Sequence, residues 1–111
     1  DWCGPCRREV KELSRLHAKL RGTPHQVVGV SVEGGSLAES VRRGRRIGID
    51  YPIAHGTKPM LDHFRVSRLP TLYVLSPSGE VVDSFVGNVE AEVLAASVAR
   101  AQSHTSRPEN E

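Results

Sequence analysis

Long apolar runs, aromatic side chains and cysteines are all scarce in this sequence of 111 residues. No apolar stretch approaches the roughly 18 residues that a transmembrane helix needs, and the first residues lack the basic and apolar regions of a secretory signal peptide. Lys and Arg outnumber Asp and Glu by only 15 to 13, and no basic stripe interleaved with aromatics is present, so we expect no nucleic-acid partner. A chain that is 38% hydrophobic and 25% charged fits one globular domain and excludes overall disorder.

The two cysteines, Cys3 and Cys6, form a single C-x-x-C. A small disulfide-stapled scaffold would use several bridges that close longer loops, so that class is excluded. A zinc site would need two further ligands, and no two histidines have the spacing of a zinc-binding pair, so we expect no metal. The only methionine is Met60 rather than the first residue, and we therefore expect a processed product or a fragment.

Hydrophobic spacing and turn residues predict alternating helices and strands. We expect helices over residues 6–20, 36–48, 58–64 and 90–101, strands over 26–32, 71–75 and 80–86, and a short extended piece at 51–53. Ser36-Leu37-Ala38-Glu39 matches a capping box at the start of the second helix, and the turn residues at 76–79 predict that the last two strands form a hairpin. Val93, Leu94 and Val98 are the buried candidates of the last helix. The predicted fold is an α/β, three-layer α/β/α sandwich over residues 1–101, followed by a disordered tail over 102–111. The basic run at 42–46 is interpreted as a solvated helix face, with an acidic partner as the alternative.

The C-x-x-C opens the first predicted helix, which is the strongest chemical signal in the sequence. Unsatisfied N–H groups and the helix dipole stabilise a thiolate there, so Cys3 is expected to have a lowered pKa. Cys6 lies one turn further into the helix and should be more buried. It is placed to attack a mixed disulfide at Cys3 and release the substrate.

The segment Trp2-Cys3-Gly4-Pro5-Cys6 is identical to the active-site motif of thioredoxins. Further features resemble the TlpA/ResA branch of thioredoxin-like proteins, which are extracytoplasmic thiol-disulfide oxidoreductases. They are Arg7 and Glu9, Val28–Val32 with an acidic residue and glycines following, Tyr51-Pro52-Ile53, Val66–Thr71, Ser78-Gly79-Glu80 and Phe85-Val86-Gly87. The resemblance covers about residues 1–100.

This resemblance implies a role for several residues around the dithiol. Cys3 and Cys6 would be the catalytic pair and the redox-active disulfide, and Trp2, Gly4 and Pro5 would border the substrate site. Pro70 would follow a cis peptide bond and face the cysteines, and the backbone of Leu69 would pair with the substrate. The catalytic cycle would need no cofactor.

The resemblance also implies partners and a location. The substrate would be a disulfide-containing protein outside the cytoplasm, including apocytochrome c during haem attachment, and an upstream dithiol would supply electrons. The parent protein would be extracytoplasmic and could carry a membrane anchor. In the family a central strand comes immediately before the W-C-x-x-C, so we expect this chain to be N-terminally truncated and to lack that strand.

Three other functions stay open from the residues alone. A Cys3–Cys6 bridge could be purely structural, although so short a loop removes little entropy from the unfolded chain. A peroxiredoxin-like peroxidase would use a lone cysteine of low pKa rather than a dithiol. A copper-binding chaperone module would use the two sulfurs as soft ligands.

Overall fold

The computed structural model describes residues 4–32 and 35–103, and it confirms the α/β class. Asp1, Trp2, Cys3, the turn residues Glu33 and Gly34, and the predicted tail from His104 onward lie outside the described residues. The helices are α1 (Gly4–Lys19), α2 (Leu37–Arg46), α3 (Lys58–His63) and α4 (Ala91–Gln102), and the strands are β1 (Gly29–Ser31), β2 (Ile53–His55), β3 (Thr71–Leu75) and β4 (Val81–Val86).

Short polar side chains fix the starts of two helices. Ser36 caps α2 in a capping box, because its hydroxyl accepts from the Glu39 N–H at 3.1 Å while the Glu39 carboxylate accepts from the Ser36 N–H at 3.2 Å. Thr57 caps α3 by accepting a hydrogen bond from the Met60 N–H. The sequence predicted the capping box, and the structure confirms it.

The described strands form two separate two-stranded sheets. β1 pairs in parallel with β2, with Gly29 opposite Ile53 and Ser31 opposite His55. β3 and β4 form the predicted antiparallel hairpin, with Thr71 opposite Val86 and a register shift between Val74 and Leu75. The described residues therefore form two small sheets and no continuous one.

The apolar core lies where α1 packs against α4. α4 also packs on β3 and β4, while α2 packs on β2. The buried core members are Val10, Leu16, Val27, Ile49, Tyr51, Ala91 and Leu94. Within the described ranges, no helix is both long enough and apolar enough to cross a bilayer.

Four sequence expectations need correction. α1 begins at Gly4 instead of Cys6, and α4 runs to Gln102, which hydrogen-bonds His25 across the fold. The predicted strand over 26–32 shortens to Gly29–Ser31 because its partner β2 has only three residues. Val93 is exposed, since α4 buries Ala91, Leu94, Ser97 and Ala101.

Candidate functional site

Cys6 lies in the first turn of α1 and is buried, with 9% of its surface exposed. It is disulfide-bonded in the structure. The sequence predicted that Cys6 is more buried than Cys3, and that comparison stays a prediction. Cys3 and Trp2 fall outside the described residues, so their expected roles stay predictions.

Gly4 and Pro5 form the exposed start of the helix that carries Cys6. Among the described residues, a β-carbon at Gly4 would meet only the tip of the Arg8 side chain, at 3.9 Å. The first turn contains no acidic residue, and helix N-termini carry unsatisfied N–H groups and the positive end of the dipole. This environment favours a thiolate at the start of α1.

Glu9 is a buried carboxyl one helical turn after Cys6, with 1% of its surface exposed. Its Oε1 accepts hydrogen bonds from the Val89 N–H at 2.9 Å and from the Asn88 side-chain amide at 3.2 Å. Its Oε2 has no hydrogen-bond partner among the described residues. Burial raises the pKa of Glu9, and the hydrogen bonds from Val89 and Asn88 oppose that rise only in part.

Asn88 ties the segment before α4 to the start of α1. Its side-chain amide donates to the carbonyl oxygen of Pro5 at 2.7 Å as well as to Glu9. Just before it, the Gly87 N–H donates to the carbonyl oxygen of Pro70 at 2.9 Å. These bonds bring the Leu69-Pro70 segment to the same end of the molecule as the first turn of α1.

The Leu69–Pro70 peptide bond is cis, as the resemblance implied. Leu69 is 44% exposed although it is a large apolar residue, and Pro70 is half-buried. Both residues border the same groove as Cys6 and Glu9. The structure therefore brings together four of the residues that the sequence and the site geometry single out.

The groove has a volume of about 890 Å³, and most of its lining is apolar. Tyr51 contributes to its wall and is 2% exposed. Burial, together with the negative charges of Asp50 and Glu9, raises the pKa of Tyr51 to about 12, so its phenol stays protonated at neutral pH. The described residues contain no group of three or more His, Cys, Asp or Glu side chains able to hold a metal ion.

The sequence interpretation assigned no role to Glu9, Asn88 or Tyr51. Glu9 entered only as part of the family resemblance, although its spacing from Cys6 is a usable signal: residues three apart on a helix are neighbours. Asn88 contacts Glu9 and Pro5, which are separated from it by 79 and 83 positions in the sequence. Local sequence patterns do not predict contacts over such separations.

Comparison with protein families gives a match to the AhpC/TSA family over residues 1–84. The thiol-disulfide oxidoreductase ResA of Bacillus subtilis is 26% identical over 94 residues, which is 84% of this chain and 52% of the relative. ResA of Geobacillus kaustophilus is 28% identical over 93 residues, covering 82% of this chain and 52% of the relative. The chain thus spans about half the length of the curated relatives it matches.

Two solved structures show the same fold. A thiol:disulfide interchange protein of the thioredoxin family from Chlorobium tepidum superposes with a TM-score of 0.75 at 24% identity, covering 90% of this chain and 72% of that one. StoA from Bacillus subtilis superposes with a TM-score of 0.72 at 20% identity, covering 86% of this chain and 74% of that one. The fold is therefore thioredoxin-like α/β.

Proposed function

Because the chain belongs to the AhpC/TSA family of thioredoxin-like proteins, we propose that it is a thiol-disulfide oxidoreductase that reduces protein disulfides through Cys3 and Cys6. The observation that carries the proposal is the position of Cys6. This cysteine is buried in the first turn of α1, beside the buried carboxyl of Glu9 and on the same groove as Leu69. The distant similarity to ResA supports the reaction class.

The proposed reaction moves two electrons by two thiol-disulfide exchanges. The Cys3 thiolate attacks one sulfur of the substrate disulfide, forms a mixed disulfide, and releases the other substrate sulfur as a thiolate. Cys6 then loses its proton and attacks the Cys3 sulfur, which releases the second substrate thiolate. The substrate ends as a dithiol and the protein as a Cys3–Cys6 disulfide, which a donor dithiol reduces by the same exchange in reverse.

Glu9 is the proposed acceptor for the Cys6 proton. A carboxyl with a raised pKa takes and returns a proton near neutral pH more readily than an exposed one. Its Oε2 is not engaged by any described hydrogen-bond donor, whereas Oε1 is held in place by Val89 and Asn88. The anchored oxygen fixes the carboxyl, and the other oxygen is available to Cys6.

Substrate recognition is proposed at the exposed segment around Leu69. The backbone of Leu69 would pair with an extended substrate segment, and Gly4, Pro5 and Trp2 would contact the substrate on the other side of the dithiol. The exposure of Leu69, Gly4 and Pro5 supports this assignment. The proposed substrates are protein disulfides outside the cytoplasm, including apocytochrome c.

The partners and location follow from the same resemblance and are proposals as well. A dithiol protein would supply electrons, and the parent protein would work outside the cytoplasm, with a membrane anchor as one means of holding it there. The donor closes the cycle by reducing the Cys3–Cys6 disulfide, whereas the anchor takes no part in the exchange steps.

Two of the alternatives, the peroxidase and the copper module, predict activities different from that of the oxidoreductase. A peroxidase would use a lone reactive cysteine, whereas the disulfide bond at Cys6 favours a dithiol pair. A copper module would bind Cu(I) stoichiometrically and would reduce no disulfide.

Insulin reduction by dithiothreitol tests the proposal. The chain should accelerate precipitation of the insulin B chain, and Cys3→Ser should abolish that acceleration, while Cys6→Ser should stall after one exchange. Equal rates for the chain and Cys3→Ser would overturn the proposal. Consumption of hydrogen peroxide without insulin reduction would favour the peroxidase, and Cu(I) retention without reduction would favour the copper module.

A further inference from the structure

The start of α1 and the segment that leads into β3 carry mostly positive charge. Residues 4–11 and 64–70 hold four arginines and one lysine against one acid, and that acid is the buried Glu9. The whole chain, by contrast, has a formal net charge of only +2. The four arginines are exposed, and we call them the basic rim: Arg7, Arg8, Arg65 and Arg68. Positive charge is therefore in local excess on both segments.

Hydrogen bonds bring the two segments of the basic rim to the same end of the molecule. The Asn88 side-chain amide donates to the carbonyl oxygen of Pro5 at 2.7 Å, and the neighbouring Gly87 N–H donates to that of Pro70 at 2.9 Å. One pair of arginines thus lies on the helix that carries Cys6, and the other pair lies on the segment that would pair with the substrate.

Arg65 and Arg68 lie on a fixed backbone. The Arg68 carbonyl oxygen accepts a hydrogen bond from the Thr71 hydroxyl, and the Phe64 carbonyl oxygen, just before Arg65, accepts one from the Tyr73 hydroxyl. Arg65 itself has a φ of 53°, in the left-handed region, where the chain leaves α3. Because the backbone is held while both side chains are exposed, the two charges stay close to the cis peptide bond.

The Arg8 guanidinium lies over the start of α1. A β-carbon at Gly4 would be 3.9 Å from Arg8 Nη1, so this side chain reaches back to the C-x-x-C loop. Gly4 stands between Cys3 and Cys6 in the sequence. A charge at that position is close to any segment that binds against the dithiol.

No carboxylate among the described residues lies within ion-pair distance of the basic rim. The ion pairs that the structure shows within 4–32 and 35–103 use other cations: Arg15, Lys58 and Arg100. Asp62, three residues before Arg65, is bound by Lys58 at 2.9 Å. Glu90 is exposed just after the segment that contacts α1, and its single charge leaves the excess positive. The rim is thus a surface of uncompensated charge that attracts anionic groups.

We propose that the basic rim selects protein substrates whose disulfide is flanked by acidic residues. The inference rests on the proposed function, because it names the class of substrate that the same dithiol would reduce. Carboxylates on a segment held between α1 and Leu69 would meet Arg8 on one side and Arg68 on the other. Arginine binds carboxylates through paired N–H donors, and complementary charge speeds association.

The arginines take no part in the electron transfer. The substrate disulfide is reduced to two thiols while the Cys3 and Cys6 thiols are oxidised to a disulfide, as in the exchange described above. The rim changes how often a substrate segment reaches the dithiol and how long it stays there. Its effect should therefore depend on ionic strength, as contacts between exposed charges do.

The test compares three peptides that share one disulfide loop and differ in its flanking residues, which are aspartates, serines or lysines. The reduced chain is mixed with each oxidised peptide, and the second-order rate is measured by acid quenching and separation of oxidised from reduced peptide. Flanking charge also alters the reactivity of the peptide sulfurs themselves. Each rate is therefore divided by that of the same peptide with dithiothreitol, an uncharged dithiol.

We expect the corrected rate to be about tenfold or more higher for the aspartate peptide than for the lysine peptide at low salt, with the serine peptide between them. In about 0.5 M NaCl the difference should shrink, because salt screens the exposed charges. This measurement uses the unaltered chain and does not depend on the folding of any variant.

Two double variants test which arginines are responsible. Arg65→Gln combined with Arg68→Gln should lower the aspartate-to-lysine ratio to about threefold or less. Arg42→Gln combined with Arg46→Gln removes the same charge from exposed positions on α2, which packs on β2 rather than on the hairpin. This control should leave the ratio unchanged.

Equal corrected rates for the aspartate and lysine peptides, or a ratio that salt does not change, would overturn the proposal. An equal loss in both double variants would overturn it as well, because the effect would then be one of net charge. A chain that reduces none of the peptides would contradict the proposed oxidoreductase function, whereas reduction of all three at equal corrected rates would contradict only the selection by charge.

Discussion

The Glu9 carboxylate accepts a hydrogen bond from the Val89 N–H at 2.9 Å, although the two residues are 80 positions apart. This bond fixes the first turns of α1 to the segment that enters α4. It also holds a buried acid one turn from Cys6 and at the edge of the groove. Hydrogen bonds from residues 88 and 89 thus hold the start of α1 in place.

Glu9→Gln should slow disulfide exchange. Glutamine can still accept the Val89 and Asn88 hydrogen bonds, but it cannot take the Cys6 proton at neutral pH. We expect the second-order rate of insulin reduction to fall roughly 10- to 100-fold, the low end of what a positioned proton acceptor contributes. The pH–rate profile should also lose one ionisation.

Glu12→Gln is the matched control for that variant. Glu12 lies one turn further along α1, and its carboxylate likewise accepts from a backbone N–H at the start of α4, that of Ala91, at 2.8 Å. It does not border the groove. An equal loss of activity in both variants would mean that Glu9 acts only by holding α1 and α4 together.

The raised pKa of Glu9 predicts how the free energy of unfolding depends on pH. The folded state holds the Glu9 proton more tightly than the unfolded state, whose value is near 4.5. The contribution of Glu9 to stability is therefore largest below that unfolded value and is lost as pH rises through the raised folded pKa. Urea unfolding between about pH 4 and pH 8 should show the chain losing stability relative to Glu9→Gln as pH rises; the opposite trend would contradict the burial of a costly charge.

Leu69→Asp should weaken binding of protein substrates without changing the chemistry. The side chain of Leu69 is exposed on the groove that Cys6 borders, and an exposed apolar residue at such a position is typical of a contact surface. We expect KM for insulin to rise about tenfold, the effect of losing one strong contact, while the rate with a small disulfide such as glutathione disulfide stays the same.

Val81→Asp is the control for the Leu69 variant. Val81 is 51% exposed, lies at the far end of the β3–β4 hairpin and does not border the groove. Its substitution introduces the same charge and should leave KM for insulin unchanged. If both variants raised KM alike, the effect would be one of net charge.

The hydrogen bonds of the Asp83 carboxylate predict that the folded chain loses stability in acid. Hydrogen bonds from Ser97 and Arg100 hold the pKa of Asp83 below its usual value, and the Arg100 bond measures 2.7 Å. Its contribution to stability is present above the unfolded value and is lost as pH falls through the lowered folded pKa. The chain should therefore be more stable than Asp83→Asn at pH 7 and lose this advantage in thermal unfolding below about pH 4. A constant difference across that range would contradict the assignment.

The sequence was most informative where structure depends on neighbours along the chain. The capping box at Ser36 and the hairpin turn ending at Gly79, whose φ is 90°, are local signals, and both are present. Glycine is unfavourable in the interior of a helix, and the structure shows why Gly44 is present in α2: a β-carbon there would lie 2.6 Å from Ile53 Cδ1. The close packing of α2 on β2 thus requires a residue without a side chain at this position.

Features set by contacts between distant segments were not predictable from local patterns. The partners of Glu9 come from residues 88 and 89, and the exposure of Val93 depends on which face of α4 meets α1. Arg45 was interpreted as part of a solvated face, but its guanidinium donates to the carbonyl oxygens of Ile49 and Tyr51. The cis bond before Pro70 came from family resemblance, since few X-Pro bonds are cis.

Trapping of the mixed disulfide tests the central claim most directly. Cys6→Ser and Cys3→Ser are each incubated with a peptide that contains a disulfide, and intact mass is measured before and after dithiothreitol. The account predicts that Cys6→Ser accumulates a peptide adduct that dithiothreitol removes, and that Cys3→Ser accumulates none. An adduct on Cys3→Ser alone, or on neither variant, would contradict the assignment of Cys3 as the attacking thiol and Cys6 as the resolving one.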